Sequence, residues 1–303
     1  MELFFTELTR HGIEWQENCP LSEHSSFRIG GAAKCAIFPR MPFELTVIVS
    51  LANHFSVPYF VAGAGCNTLF DDRGFDGAVI FTKKMKRIVK NGSLWEVDAG
   101  VSLATLAQEA QREGLSGLEF AHGIPGTLGG AVFMNAGAFG GEMKDICVKS
   151  CCYNIQTQEV KPLVGETQEF SYRSSFYSAH PECLILGATL SLHSGDPAEI
   201  EERMKEYKRR RSASQPLEFP SAGSVFKRPV NDFAGRLIEA SGLKGLRVGG
   251  AEVSEKHAGF IVNRGGATAS DVKSLIELIR ERVLKDHGVL LECEIRFLDF
   301  KKR

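Results

Sequence analysis

The chain has 303 residues, 43% of them hydrophobic and 24% charged, which is enough for two or three domains with buried cores. Its 36 Lys and Arg balance 37 Asp and Glu, and the net charge of −1 excludes bulk electrostatic binding to nucleic acid. No stretch approaches the ~20 uninterrupted apolar residues that cross a bilayer. The opening Met1-Glu2-Leu3-Phe4-Phe5-Thr6-Glu7 has no basic segment ahead of an apolar run, so a cytoplasmic protein without nucleic-acid or membrane partners is expected.

Ala33–Phe38 reads as a strand, Phe43–Phe55 as a helix, and Val57–Ala62 as a buried strand running into glycines. Gly77–Thr82 continues as a strand. Lys86–Val89 and Leu94–Val97 flank Asn91-Gly92, a two-residue hairpin signal. Ser102 predicts the N-cap of a helix carrying Leu103, Leu106, Ala107 and Ala110, with a stop near Gly114. Strands follow over 147–155 and 183–193, then a charged helix over Pro197–Arg211. Its Lys208-Arg209-Arg210-Arg211 run suits the C-terminal end of that helix, with Glu199, Glu201, Glu202 and Glu206 upstream.

Residues 216–303 read as an α+β unit. A helix over Phe233–Ser241 is closed by Gly242, a strand follows over His257–Val262, and Asp271 caps a helix. Val272, Leu275, Ile276, Ile279 and Val283 form that helix's apolar stripe. The last segment alternates. Val289, Leu291, Cys293, Ile295 and Phe297 face one way, and Leu290, Glu292, Glu294 and Arg296 the other. The eight cysteines, at 19, 35, 66, 147, 151, 152, 183 and 293, form no CxxC pair. They predict free thiols in a reducing compartment and no metal site.

Four segments carry chemistry. Gly63-Ala64-Gly65-Cys66-Asn67-Thr68 follows an apolar strand, and its small residues let backbone N–H groups approach an anion; taken alone, a tight turn explains it equally well. Gly123-Ile124-Pro125-Gly126-Thr127-Leu128-Gly129-Gly130-Ala131 leads to Asn135-Ala136-Gly137-Ala138-Phe139-Gly140, a glycine density better explained by a large ligand on the backbone than by folding. Thr127 and the start of a short helix are expected to meet negative charge there. The third is Tyr172-Arg173-Ser174-Ser175-Phe176, whose arginine offers a fixed fork of donors to a carboxylate or phosphate. The fourth surrounds Ser224, in Ala222-Gly223-Ser224-Val225-Phe226-Lys227. No nucleophile elbow or triad spacing accompanies that serine, so a turn serine and a proton donor remain the two readings.

In this order, and with Ser25-Ser26-Phe27-Arg28-Ile29-Gly30-Gly31 and Ser254-Glu255-Lys256-His257-Ala258-Gly259-Phe260, the segments resemble the UDP-N-acetylenolpyruvoylglucosamine reductase family over nearly the whole chain. The resemblance implies an α+β FAD-binding fold of the vanillyl-alcohol-oxidase (PCMH) type. Its two subdomains would span 1–82 and 83–213. A C-terminal α+β substrate-binding domain would span 214–303, its last strand returning to the active site. The short stretch from Arg173 to Ser224 looks like the compact class without an extra substrate-clamping loop.

The resemblance also implies non-covalent FAD on Gly63, Ala64, Gly65, Cys66, Asn67, Thr68, Gly123, Ile124, Pro125, Gly126, Thr127, Gly129, Gly130, Ala131, Asn135 and Gly137. NADPH would be the hydride donor and UDP-N-acetylglucosamine enolpyruvate the substrate, touched by Tyr172, Lys227, Arg228 and Glu252. Arg173 and Glu294 would stabilise an enolate, and Ser224 would protonate carbon, with Lys227 as a neighbour to assist it. A monomer is expected. Ala64 and Cys66 replace the family's usual glycine and serine, Arg228 its asparagine and Glu252 its glutamine. The alternative is a sugar or alcohol oxidase of the same fold, in which His24 or His122 would attach the flavin.

Overall fold

Two hydrophobic cores organise residues 1–301, the part of the chain that the computed structural model describes. Each belongs to one compact unit. The first unit comprises Met1–Gln16, Ala36–Ala64 and Ala78–Arg211; the second comprises Glu17–Cys35, Gly65–Gly77 and Ser212–Arg303. The expected domains are unbroken stretches, whereas these units interleave along the chain. The reason lies in the second core, where Phe27, Ile29 and Leu69 are all but fully buried among Val225, Phe226, Ile238 and Ile276. Residues 302 and 303, the end of the expected third domain, lie outside the described residues.

In the first unit, Glu159–Val164, Cys147–Asn154, Cys183–Ser191, Leu94–Asp98 and Ile88–Asn91 form a five-stranded antiparallel sheet in that order. The hairpin registers one residue later than expected. Asn91 pairs with Leu94, so Gly92-Ser93 is the loop, with the positive φ of +58° at its first position, where glycine is favoured. Leu103–Arg112 starts where predicted, the Ser102 hydroxyl accepting from Thr105 N at 3.1 Å. Its Leu103, Leu106, Ala107 and Ala110 pack into a core with Trp95, Leu128, Val132 and Leu190. Tyr59–Ala62 pairs in parallel with residues 78–81.

In the second unit, Ser221–Ser224, Phe260–Asn263, Ala251–Val253 and Arg247–Val248 form a four-stranded sheet. The helix Ala269–His287 covers it with the predicted stripe, but its cap is Thr268. Asp271 stands inside the first turn and completes a capping box with Thr268. The final segment is not one alternating strand. Phe226 bridges Cys293, whereas Arg296–Leu298 pairs in parallel with Thr68–Phe70. The change of partner shifts the alternation by one, so Leu298 is buried and Phe297, expected inside, is 38% exposed.

Candidate active site

In the first unit the apolar strand Tyr59–Ala62 ends at Gly63, against Thr127. A Cβ added to Gly63 would lie 2.3 Å from the Thr127 hydroxyl oxygen, so only glycine fits. Thr127 is 3% exposed, and its Oγ1 has no hydrogen-bond partner among the described residues. A buried hydroxyl without a partner costs about 1–3 kcal/mol, and a ligand oxygen there would remove that cost. The start of helix Leu128–Met134 differs from expectation. Leu128 N donates to Val101 O and Gly129 N to Ala99 O, both at 2.8 Å, so these N–H groups already have partners.

The glycine block also divides by purpose. Gly129 packs on Ala99 and Gly137 on Gly141, where a side chain would collide, so the fold itself requires both; a Cβ at Gly130 would meet the Thr127 hydroxyl oxygen at an ordinary contact of 3.7 Å. Ile124 is half-buried against the core, while Pro125 and Gly126 lead into Thr127 at its edge. His122 is half-buried just ahead of them. Burial, and then Lys208, lower its pKa and favour the neutral ring.

Asn135 ends the helix in the left-handed region, at φ +41° and 0% exposed. Expected to touch FAD, its side chain instead uses both amide hydrogens within its own unit, on Glu142 Oε2 at 2.6 Å and Ser171 O at 3.0 Å. Ser171 and Ser174 exchange backbone hydrogen bonds of 3.0 and 3.2 Å across a two-residue turn formed by Tyr172 and Arg173. Arg173 is half-buried and holds φ +54°, a conformation that costs a non-glycine residue about 1–2 kcal/mol. Its guanidinium lies 5.0 Å from the Tyr172 ring.

In the second unit Gly65-Cys66-Asn67-Thr68 is stitched to two other segments. The Ser26 hydroxyl donates to Ser221 O at 2.7 Å, and Ser26 N to Gly65 O at 3.3 Å. Asn67 Nδ2 donates to Glu294 O at 3.2 Å, and Arg296 N returns a bond to Asn67 O at 3.0 Å. Burial pushes the Cys66 thiol up, so it remains protonated.

Ser224 stands just after a β-bulge. Ser221 pairs with Val262 and Ser224 with Phe260, leaving one extra residue at Ala222-Gly223, where Gly223 has φ +77°. Val225 N donates to Gly259 O at 2.9 Å, and Glu294 N to Val225 O at 2.7 Å. Ser224 and Glu294 are thus on adjacent paired backbones, both half-buried, and Ser224 Oγ makes no hydrogen bond among the described residues.

The alternation alone does not choose between the last two glutamates. The Glu292 carboxylate forms an exposed ion pair of 2.5 Å with Lys227, whereas Asn67 holds the backbone carbonyl of Glu294. Lys227 therefore has a carboxylate partner and no hydrogen bond to Ser224 among the described residues. Arg228 lies 4.4 Å from the Phe233 ring. Glu252 is 5% exposed and ion-paired with Arg247, and with Arg264 Nε at 3.7 Å, so its carboxylate already serves two arginines. Of the catalytic residues expected from sequence, Ser224 and Glu294 lie together in this unit and Arg173 belongs to the other. Sequence reasoning did not nominate Ser26 as part of the site; its signal is a pair of serines before Phe27, within the run that carried the family resemblance.

Residues 215–298 match the C-terminal domain of UDP-N-acetylenolpyruvoylglucosamine reductase, and residues 33–153 match an FAD binding domain. The chain is 44% identical over 295 residues to the UDP-N-acetylenolpyruvoylglucosamine reductase of Caldicellulosiruptor bescii, covering 96% of this chain and 93% of that one. It belongs to the UDP-N-acetylenolpyruvoylglucosamine reductase family. The reductase of Alkaliphilus oremlandii is 45% identical over 280 residues, 92% of this chain and 91% of its own. The crystal structure of the Thermus caldophilus reductase superposes with a TM-score of 0.79 at 36% identity, over 94% of this chain and 98% of that one. The fold is the α+β arrangement of this reductase family, with its PCMH-type FAD binding domain and its C-terminal domain. The partnerless Thr127 hydroxyl beside Gly63 fits the FAD that such a domain binds, since it offers a donor to an anionic group from a position only backbone approaches.

Proposed function

We infer that this chain is an FAD-dependent oxidoreductase that reduces UDP-N-acetylglucosamine enolpyruvate to UDP-N-acetylmuramate, a step of peptidoglycan synthesis. FAD, when bound, would supply the hydride, which it would take from NADPH. In this reading Gly63, Gly65, Cys66, Asn67 and Thr127 are among the residues that would hold FAD. Retention is non-covalent in this reading, with His24 and His122 unattached. In this reading the flavin subdomains run over 1–82 and 83–213 and the substrate domain over 214–303, with Glu17–Cys35 and Gly65–Gly77 of the first packed in the same compact unit as the last.

The observation that carries the residue roles is the backbone network joining Asn67, Val225 and Glu294 beside Ser224. Hydride addition to the terminal vinyl carbon builds negative charge on the substrate carboxylate. Arg173 stabilises that charge directly, and Glu294 as a protonated donor. Ser224 gives its proton to the neighbouring carbon, and the bulge at Gly223 keeps its hydroxyl clear of other protein partners. Tyr172 is 50% exposed and carries the arginine's flank. Lys227 and Arg228 border the substrate, while Glu252 acts through the arginines it holds.

The protein works as a monomer in the cytoplasm without nucleic-acid or membrane partners. Its eight cysteines, none in a CxxC pair, suit a reducing compartment, and its net charge of −1 gives nucleic acid little to hold. Among the described residues no helix is long and apolar enough to cross a membrane.

An anaerobic visible spectrum tests the reaction. Flavin bands should bleach with NADPH and return on adding the enolpyruvyl nucleotide. Bleaching without return would reject this substrate, and a protein that takes up no flavin would reject the reading altogether.

A further inference from the structure

We propose that Asn135 is a positioning residue for catalysis, holding through its amide the two-residue turn that aims Arg173. The inference rests on the role given to Arg173 above. That turn is closed by the backbone bonds of Ser171 and Ser174 and keeps an arginine at φ +54°. A strained residue persists where its surroundings over-determine it.

Two side-chain bonds provide that constraint, and both reach the end of helix Leu128–Met134. Asn135 Nδ2 donates to Ser171 O at 3.0 Å, on the near side of the turn. The Ser175 hydroxyl donates to Phe133 O at 2.9 Å, on the far side. Asn135 is itself fixed, with no exposure, because Lys144 N donates to its Oδ1 at 2.9 Å and Glu142 accepts its other amide hydrogen. The N–H of Lys144 also settles which way the amide points, since only its oxygen can accept there. The helix thus begins at Thr127, whose hydroxyl is proposed to meet FAD, and ends on the residues that hold the substrate arginine. An asparagine suits the place twice, tolerating the left-handed backbone and donating two hydrogen bonds from one short side chain.

The test uses Asn135→Gly, which keeps the backbone at ease while removing the amide, in the intact FAD-loaded protein. FAD content and reduction by NADPH should stay within about twofold of wild type, while reoxidation by the enolpyruvyl nucleotide slows roughly 10- to 100-fold. In an Arg173→Ala background the same change should slow reoxidation by less than about twofold, because its effect passes through the arginine. Ser175→Ala, removing the second bond, should show the same dependence on Arg173 and carries the test if Asn135→Gly does not fold. Loss of FAD from a folded Asn135→Gly protein, or an undiminished loss of rate in the Arg173→Ala background, would overturn the proposal. Arg173→Ala reoxidising at the wild-type rate would overturn the reading of the arginine on which it rests.

Discussion

Ser224 and Glu294 sit on backbone that pairs with its neighbours, through bonds of Val225 to Gly259 and of Glu294 to Val225. Arg173 sits on a two-residue turn whose outside support comes from the side chains of Asn135 and Ser175. The first arrangement tolerates substitution around it, because backbone hydrogen bonds survive most changes of side chain. The second is exposed to single replacements. The proposed catalytic groups of one unit are held by backbone pairing, and the proposed arginine of the other by side-chain contacts that a mutation can remove.

Ser224→Ala gives the largest expected effect. FAD binding and reduction by NADPH should persist, while reoxidation by the enolpyruvyl nucleotide falls about 10²- to 10⁴-fold, the usual contribution of a positioned acid. Because the hydroxyl has no protein partner, the melting temperature should not move. A drop in stability would show that the strand depends on this side chain after all and would erase the contrast.

Thr127→Val comes next and probes the other unit. Replacing a partnerless buried hydroxyl with a methyl of similar shape should raise the melting temperature of the FAD-free protein, by about 1 kcal/mol of stability. FAD affinity should fall by roughly tenfold, as expected for one lost hydrogen bond of about 1.4 kcal/mol. Calorimetry on FAD-free protein and a flavin titration separate the two signs. An unchanged affinity would remove Thr127 from the cofactor site.

The smallest effect concerns acid. Burial alone would raise the pKa of Glu119, but the Ser116 hydroxyl and Arg203 outweigh it and hold the carboxyl below its ordinary range. With its pKa depressed on folding, Glu119 stabilises the protein above the unfolded carboxylate's pKa of about 4.3. That contribution is lost as pH falls through the lower folded value. Glu119→Gln should therefore melt lower at pH 7, by about 1 kcal/mol of stability, with the gap to wild type closing towards pH 3. A gap that stayed constant in thermal melts across that range would mean that the ion pair with Arg203 adds nothing.

Local chemistry was legible wherever it was decided within a few residues. The Ser102 cap and the stripe from Val272 to Val283 stand as the residues implied. Errors arose where a distant partner decides. Phe297, expected inside, is exposed because Thr68–Phe70 sets the register of this segment. The first N–H groups of helix Leu128–Met134 were expected to be open, but the carbonyls of Ala99 and Val101 take them. Asn135 was legible as part of a glycine-rich ligand loop, and its bond to Ser171, 36 residues onward, was not. The choice of Glu294 over Glu292 came from the family resemblance, since alternation treats the two alike. What separates the two is local: Glu292 is ion-paired with Lys227, while Asn67 donates to the backbone carbonyl of Glu294.

The parallel pairing of Arg296–Leu298 with Thr68–Phe70 has a consequence for how the protein is made. Asn67 loses its bonds to Glu294 and Arg296 in any chain that stops short of those residues. On the ribosome the loop at Asn67, proposed to hold flavin, is therefore synthesised early and completed last, after more than two hundred intervening residues have emerged. Closing so long a separation is slow for entropic reasons. A nascent chain truncated before residue 294 should thus retain flavin poorly, however well its first core has packed, and loading with cofactor belongs to the released polypeptide.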